Sequence, residues 1–327
     1  MKSLDLKIAK ILKGDTSRKN FIIADAKDAD MANGIYSGGF DGTTGAPRNM
    51  DAYREQIRRV VKQGIVDIML MSASNLEILA KEEGLFKNSK ITPAARGNDT
   101  TDIWVCRNSC YTKEPSRAFS SASIDSIKKA GADLALYSVT FNNRFDYDYE
   151  ALAKLKAFRE EAEAKKFRYF LEVFNPNALN GIKEKDMPFY VNDCIARCLA
   201  GVVKAQRPLF LKIAYNGPKA MEELANYDSR LIVGILGGSS GTTLDAFTLL
   251  HDAQKYGAKV ALFGRKINNS QSPLHFIECL RAVADGELSP KDAVKLYHDK
   301  MKKAGIKPKV SLAKDLALSN KVLQSYG

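Results

Sequence analysis

The chain has 327 residues, of which 45% are hydrophobic and 27% are charged, and its formal net charge is +12. This composition is typical of a globular protein, and it excludes a membrane-spanning one, because no run approaches the roughly 18 to 20 apolar residues of a spanning helix. The lysines are interleaved with acidic residues rather than gathered in one tract. We therefore expect the positive charge to favour small anionic substrates, and we expect neither a nucleic-acid nor a membrane partner.

The cysteines and histidines bear on compartment and cofactor. Five cysteines, an odd number, indicate reduced thiols rather than a disulfide framework, and the amino terminus lacks the apolar block of a secretory signal. We expect a cytoplasmic protein. The three histidines fall in predicted helices, and the glycine-rich stretch at residues 38–45 lacks the Lys-Ser/Thr that follows a nucleotide-binding loop. The sequence therefore predicts neither a metal nor a cofactor.

Strands and helices alternate along the chain after an opening helix at residues 5–13. The alternation favours parallel pairing, and eight strands favour a closed (β/α)8 barrel over an open sheet. The strands are predicted at residues 21–24, 66–71, 91–96, 132–141, 168–177, 209–215, 230–238 and 258–267, with 103–107 as an alternative third strand. Between and after them, helices are predicted at 51–63, 75–83, 122–130, 147–166, 239–257, 274–285 and 290–304.

This pattern predicts one barrel domain that spans the whole chain. Residues 1–20 form an expected helical extension before the first strand, and residues 286–327 form a second extension after the barrel. An α/β barrel with such additions commonly exceeds 250 residues. Its reactive groups lie at the carboxyl ends of the strands, which directs attention to the residues found there.

Lys212 is the candidate nucleophile. It stands within the apolar run of the predicted sixth strand, and a Gly-Pro turn follows shortly after it. Desolvation lowers the pKa of a lysine towards the neutral amine that attacks carbonyls. Glu172, embedded in the fifth strand, is a candidate proton carrier, because a carboxylate near a lysine can shuttle protons. The alternative is that Glu172 and Lys212 form a structural ion pair.

The ends of the seventh and eighth strands predict a phosphate site. Gly237, Gly238 and Ser239 lead into the start of a helix, where backbone N–H groups and the helix dipole favour an anion. Gly264 and Arg265 follow the eighth strand, where the glycine allows close approach and the arginine offers two donors. The loops after these two strands commonly hold phosphate in α/β barrels.

The run FLKIAYNG and the later run GILGGSSGTTLDAFTLLHDAQKYGAKVALFGRKI resemble the class I aldolases. The likeness is to archaeal-type fructose-bisphosphate aldolases and their deoxyribose-phosphate-aldolase-like relatives, which share a lysine on strand six, a Gly-Gly turn after strand seven and Gly-Arg after strand eight. The resemblance implies carbon–carbon bond cleavage or formation on a phosphorylated sugar, through an imine on Lys212, in a protein that forms homo-oligomers.

The resemblance also implies roles for two further residues. Asp25 stands where the family has an aspartate after strand one that orients the imine or a substrate hydroxyl. The family's proton-shuttling tyrosine lies on strand four, where Tyr137 is the nearest tyrosine and Thr140 is an alternative occupant of the matching position. The acid/base is therefore either Tyr137 or Glu172.

The remaining candidates would contact the sugar. Lys27, Asp99 and Thr100 are expected near its hydroxyl groups, with Asp102 close by, and Lys27 could instead lower the pKa of a neighbouring group. Two alternative functions remain open. The barrel could use the same phosphate site for isomerisation or acyl transfer, or it could bind a sugar phosphate or RNA without catalysis.

Overall fold

The computed structural model describes residues 1–40, 46–238 and 241–323. Eight parallel strands close into a barrel in the order β1-β8-β7-β6-β5-β4-β3-β2, with β2 paired to β1. This confirms the predicted (β/α)8 fold. The strands are β1 Ile22–Lys27, β2 Ile68–Met71, β3 Thr92–Arg96, β4 Leu134–Thr140, β5 Tyr169–Phe174, β6 Leu211–Ile213, β7 Val233–Leu236 and β8 Val260–Phe263.

Nine longer helices of the described residues surround or close the barrel. They are α1 Ser3–Leu12, α2 Met50–Gln63, α3 Ile124–Lys129, α4 Phe145–Ala164, α5 Met187–Ala200, α6 Pro218–Tyr227, α7 Thr243–Lys255, α8 Pro273–Asp285 and α9 Pro290–Lys303. Short helices lie at Asp30–Asn33, Ala73–Leu76, Arg265–Asn269 and Leu312–Asp315, and a π-helical stretch covers Glu77–Glu82. None of these helices is long and apolar enough to cross a lipid bilayer.

The third strand is the one predicted at residues 91–96. The alternative segment, residues 103–107, lies after a 3₁₀ turn at Thr101–Ile103 and forms no barrel strand. A separate antiparallel ribbon pairs Asp99–Thr100 with Ala118–Phe119 beside the carboxyl end of β3. Residues 99 and 100 thus pair with this ribbon and with no barrel strand.

Side chains alternate between two apolar layers along every strand. One layer fills the barrel, and α1 closes its lower end with Leu4 and Ile8. The other layer lies between the strands and the helices. On β4, for example, Leu136 belongs to the inner layer and Tyr137 to the outer one. This alternation decides which of the polar strand residues can reach a site at the top of the barrel.

Candidate active site

A cavity of ≈ 570 Å³ opens at the carboxyl ends of the strands, and we call it the main cavity. Lys212 lies on its wall, as does Glu172. Its volume is in the range of small-molecule sites. The lining residues are Ala26, Asp28, Ala29, Ala32, Asn33, Arg96, Asp102, Ile103, Val105, Thr112, Glu172, Phe174, Asn175, Asn177, Lys212, Ala214, Leu236, Gly237, Gly238, Leu262, Gly264 and Arg265.

Lys212 and Glu172 meet inside the barrel. They are register partners on β6 and β5, so their side chains project from the same level of adjacent strands. Lys212 Nζ forms an ion pair with Glu172 Oε1, and the two side chains are only 8% and 1% exposed. The geometry places a buried amine in direct contact with a carboxylate that can take its proton.

Arg96 holds the other side of the Glu172 carboxylate. Its Nη2 donates to Glu172 Oε2 at 3.2 Å, its Nη1 to Ser138 Oγ at 2.8 Å, and its Nε to Asp28 Oδ2 at 2.8 Å. Burial lowers the pKa of Arg96, but Asp28 and Glu172 together more than offset this effect and raise the pKa above its ordinary value. Arg96 is therefore a permanent cation that joins β1, β4 and β5.

Asp28 is a site residue that the sequence analysis did not select. It lies just after β1 and lines the main cavity. Burial raises its pKa, but the charges of Arg96 and Lys212 outweigh burial and hold the pKa below its usual range. Asp28 is thus an ionised carboxylate near the charge of Lys212. The signal in the sequence was its position two residues after Ala26, which continues the inward-facing series of β1 just past the end of the strand.

Tyr137 does not lie in the main cavity. Its ring packs on Phe158 of α4, with ring centroids 4.5 Å apart, in the layer between strands and helices. Ser138 takes the inward position instead, and its hydroxyl donates to Glu172 Oε2 at 2.7 Å. The structure therefore separates Tyr137 from Lys212 and brings Glu172 to it. Thr140 also points inward, and its hydroxyl donates to Asp102 Oδ2 at 2.7 Å.

Asp25 and Lys27 also face away from the main cavity. Both share the outward side of β1 with Ile23, and Lys27 Nζ lies 3.1 Å from Asp25 Oδ1 in a fully buried ion pair. Burial raises the pKa of Asp25, although the charge of Lys27 opposes the shift. This placement corrects the expectation that Asp25 orients an imine and that Lys27 contacts the sugar. Asp28, in contrast, lines the main cavity.

The predicted phosphate residues lie together at the ends of β7 and β8. Gly237, Gly238, Gly264 and Arg265 all line the main cavity, whereas Ser239 lies outside the described residues. A Cβ at residue 237 would lie 2.2 Å from the ring of Phe263, and a Cβ at residue 264 would lie 2.6 Å from the Ala26 carbonyl oxygen. These two positions therefore require glycine, which brings the backbone close to the cavity.

The start of α7 differs from the prediction. The helix begins at Thr243, and three amides at its start already have acceptors within the chain. The Thr242 N–H donates to Asp245, the Thr243 N–H to Asp315, and the Asp245 N–H to the Thr242 hydroxyl, at 2.7 to 3.0 Å. The expectation of open helix N–H groups is corrected on this point. An anion here would rely on the loop glycines and Arg265.

Asp99 and Thr100 are not on the wall of the main cavity. They belong to the antiparallel ribbon, where Asp99 Oδ2 accepts from Ser121 Oγ at 2.6 Å. Asp102, three residues further on, does line the cavity. Asp102 lies within the 3₁₀ turn Thr101–Ile103, whereas Asp99 and Thr100 are paired in the ribbon.

Similar structures agree with this description of the fold. A Schiff-base-forming fructose-1,6-bisphosphate aldolase aligns over 85% of this chain and 99% of its own, with 16% identity and a TM-score of 0.64. An archaeal fructose-1,6-bisphosphate aldolase, with its catalytic lysine bound to a carbinolamine intermediate, aligns over 86% and 100%, with 16% identity and a TM-score of 0.64. No protein-family model matches the chain, and no curated protein matches its sequence. The resemblance to archaeal-type fructose-bisphosphate aldolases is thus confirmed in the fold.

Proposed function

We propose that the chain is a metal-independent class I aldolase that cleaves or forms a carbon–carbon bond of a phosphorylated sugar through an imine on Lys212. The observation that carries the proposal is the contact of Lys212 Nζ with Glu172 Oε1, both nearly buried on the wall of the main cavity. Imine chemistry needs a lysine that can lose its proton inside a site that excludes water. The similarity in fold to Schiff-base-forming aldolases supports the same reading.

The chemistry begins with a proton transfer. Glu172 Oε1 takes a proton from the Lys212 ammonium, and the neutral amine attacks the ketone carbon of the sugar to form a carbinolamine. Glu172 returns the proton to the departing hydroxyl, so that water leaves and a protonated imine remains. The bond that breaks joins the carbon next to the imine carbon to the hydroxyl-bearing carbon beyond it. Its electron pair moves into the imine to give an enamine, which is then protonated at carbon and hydrolysed to release the ketone product and free Lys212. A base in the cavity takes the proton of the hydroxyl that becomes the aldehyde.

Glu172 is suited to this cycle because its two carboxylate oxygens have different partners. Oε2 accepts from Ser138 and Arg96, which fix the plane of the carboxylate, while Oε1 faces the lysine. Fixed orientation of an acid/base group is a large part of its catalytic contribution. In this proposal, Ser138 and Arg96 are positioning residues, and Asp28 supplies a second carboxylate in the same cavity.

The phosphate of the substrate is proposed to bind at the ends of β7 and β8. Gly237, Gly238 and Gly264 bring backbone to the cavity surface, Arg265 supplies a cation, and Ser239 completes the predicted set. This arrangement would hold the ketone-bearing half of the sugar with its carbonyl towards Lys212. The proposal also includes a cytoplasmic location, based on the odd cysteine count, and a homo-oligomer, based on the family resemblance. Light scattering of the purified protein would test the oligomeric state.

Borohydride trapping tests the proposal directly. The protein is reduced with borohydride in the presence of dihydroxyacetone phosphate, and the adduct is measured by intact mass and located by peptide mapping. We expect one adduct, on Lys212. The Lys212→Met variant should lose it, and Lys156→Met, which changes a lysine on the exposed face of α4, should keep it. A folded protein that forms no adduct with any ketose phosphate would contradict the proposal and favour isomerisation, acyl transfer or binding without catalysis.

A further inference from the structure

The two sides of the main cavity differ in chemistry. The residues after β7 and β8 provide glycine backbone and Arg265, the features of an anion site. The residues after β3 and β5 provide carboxylate and amide side chains, among them Asp102 and Asn177. Because β3 lies opposite β7 in the eight-stranded order, Asp102 follows a strand across the barrel from the glycine turn after β7, and Asn177 is bonded to the same segment after β3. A substrate that spans the cavity therefore meets different groups at its two ends.

The cations that line the cavity suffice for one phosphate. Three cationic residues are on its wall: Lys212, Arg96 and Arg265. Lys212 is paired with Glu172, and Arg96 is paired with both Asp28 and Glu172. Residues 41–45, 239–240 and 324–327 contain neither lysine nor arginine, so they add no further cation. Arg265 therefore remains as the partner of a phosphate group.

The side after β3 and β5 offers unfilled hydrogen-bond acceptors. Asp102 Oδ2 is bonded to Thr140, but Asp102 Oδ1 is buried and has no partner among the described residues. The Asn177 amide nitrogen donates to the Thr112 and Glu114 carbonyls, which fixes its orientation and leaves its Oδ1 buried and equally without a described partner. A buried acceptor without a donor is energetically unfavourable. A ligand that donates hydrogen bonds would relieve that cost.

A second phosphate group fits this side poorly. A phosphate dianion donates no hydrogen bond, and it would lie near the Asp102 carboxylate without a cation to compensate the charge. A hydroxyl group donates a hydrogen bond and carries no charge. A carboxylate and an amide oxygen are good acceptors for such donors.

We propose that the main cavity is selective for a sugar monophosphate, whose phosphate lies at Arg265 and whose uncharged, hydroxylated end donates to Asp102 and Asn177. This inference rests on the proposed aldolase function in one respect: it assigns the uncharged, hydroxylated end of the substrate to the half that leaves as the aldehyde. It sets the chain apart from a fructose-1,6-bisphosphate aldolase with a similar fold. Asp102 is then the residue that determines specificity.

The test measures binding without chemistry. Hexitol 1-phosphate and hexitol 1,6-bisphosphate lack a carbonyl and form no imine, so isothermal titration calorimetry with each reports the cavity alone. We expect the monophosphate to bind at least tenfold more tightly than the bisphosphate. The Asp102→Asn variant keeps the side-chain size and removes the charge, and it should reduce this ratio at least threefold. Asp146→Asn, a change at an exposed residue in the first turn of α4, should leave the ratio unchanged.

The outcomes separate this inference from the proposed function. Equal or tighter binding of the bisphosphate, or no binding of either hexitol, overturns the inference, even where borohydride traps dihydroxyacetone phosphate on Lys212. A strong preference for the monophosphate that depends on Asp102, together with no trapped adduct, supports the inference on ligand class and overturns the aldolase reaction. An unchanged ratio in Asp102→Asn removes Asp102 from the proposal.

Discussion

Glu172 and Lys212 face each other from adjacent strands and form an ion pair that solvent barely reaches. Such a pair is costly to desolvate, and it rarely increases stability over an apolar pair of the same size. Glu172 is additionally held by Ser138 and Arg96, and this bonding extends through Arg96 to Asp28. A buried, fully oriented polar network beside an open cavity is typical of a functional site rather than of a core.

Replacement of Glu172 by glutamine tests its role as proton carrier. Glutamine preserves the size of the side chain and can still accept from Ser138, but it cannot take a proton from Lys212. We expect kcat for aldol cleavage to fall roughly 10²- to 10⁴-fold, the usual contribution of a general acid/base. Steady-state kinetics would measure this, with Glu150→Gln on the outer face of α4 as the matched control. A kcat within about threefold of the parent enzyme would rule out this role.

Replacement of Arg96 by methionine tests whether it holds the network together. The change leaves Asp28 and Glu172 buried with one cation fewer, so we expect a loss of about 3 to 5 kcal/mol in the free energy of unfolding. Arg58→Met is the control, because Arg58 pairs with Glu83 near the surface and such pairs contribute about 0 to 1 kcal/mol. Denaturant unfolding compares the two variants. Equal losses of unfolding free energy in the two variants would show that Arg96 contributes no more to stability than a surface arginine.

Asp28 should make stability depend on pH in acid. Its folded pKa lies below the usual value, so it contributes stability above its unfolded pKa of about 3.9, and this contribution is lost as the pH falls. The Asp28→Asn variant lacks this contribution. We expect the difference in unfolding free energy between the parent protein and Asp28→Asn to shrink as the pH is lowered from 6 to below about 4. A difference that stays constant over this range would contradict the assignment.

Tyr137 and Ser138 provide a pair of adjacent tests. Tyr137→Phe changes a side chain that packs on Phe158 outside the barrel, so we expect kcat/KM to stay within about twofold of the parent value. Ser138→Ala removes a hydrogen bond to the Glu172 carboxylate, and the loss of about 1.5 to 3 kcal/mol predicts a roughly tenfold or larger fall in kcat. If Tyr137→Phe were the more damaging change, the proton carrier would have to be reassigned.

Gly264 should tolerate no side chain. A methyl group there would lie 2.6 Å from the Ala26 carbonyl oxygen, and overpacking of this kind costs about 1 to 3 kcal/mol. Gly264→Ala should therefore lower the thermal midpoint and weaken phosphate binding. In contrast, a Cβ at Gly201 would meet nothing within 4 Å, and Gly201→Ala should change stability by about 0.5 kcal/mol or less. Differential scanning calorimetry with and without dihydroxyacetone phosphate measures both effects.

Several site residues were predictable because their signals are local. Lys212 and Glu172 each interrupt an apolar strand, and the glycines at 237 and 264 directly follow strands seven and eight. The barrel itself follows from the alternation of strands and helices along the chain, with the third strand at residues 91–96 as predicted. These features depend on composition and periodicity over a few residues, which the sequence displays directly.

The remaining assignments depended on which face of a strand a residue occupies. Asp25 and Lys27 point outward while Asp28 points inward, and Tyr137 points outward while Ser138 points inward. A shift of one residue exchanges the two faces, so an error of one position in a strand reverses every assignment on it. The residues that interrupt apolar strands were thus determined by the sequence alone. Only the tertiary structure decided which of them meet, because closure of the barrel sets the register of each strand against its neighbours.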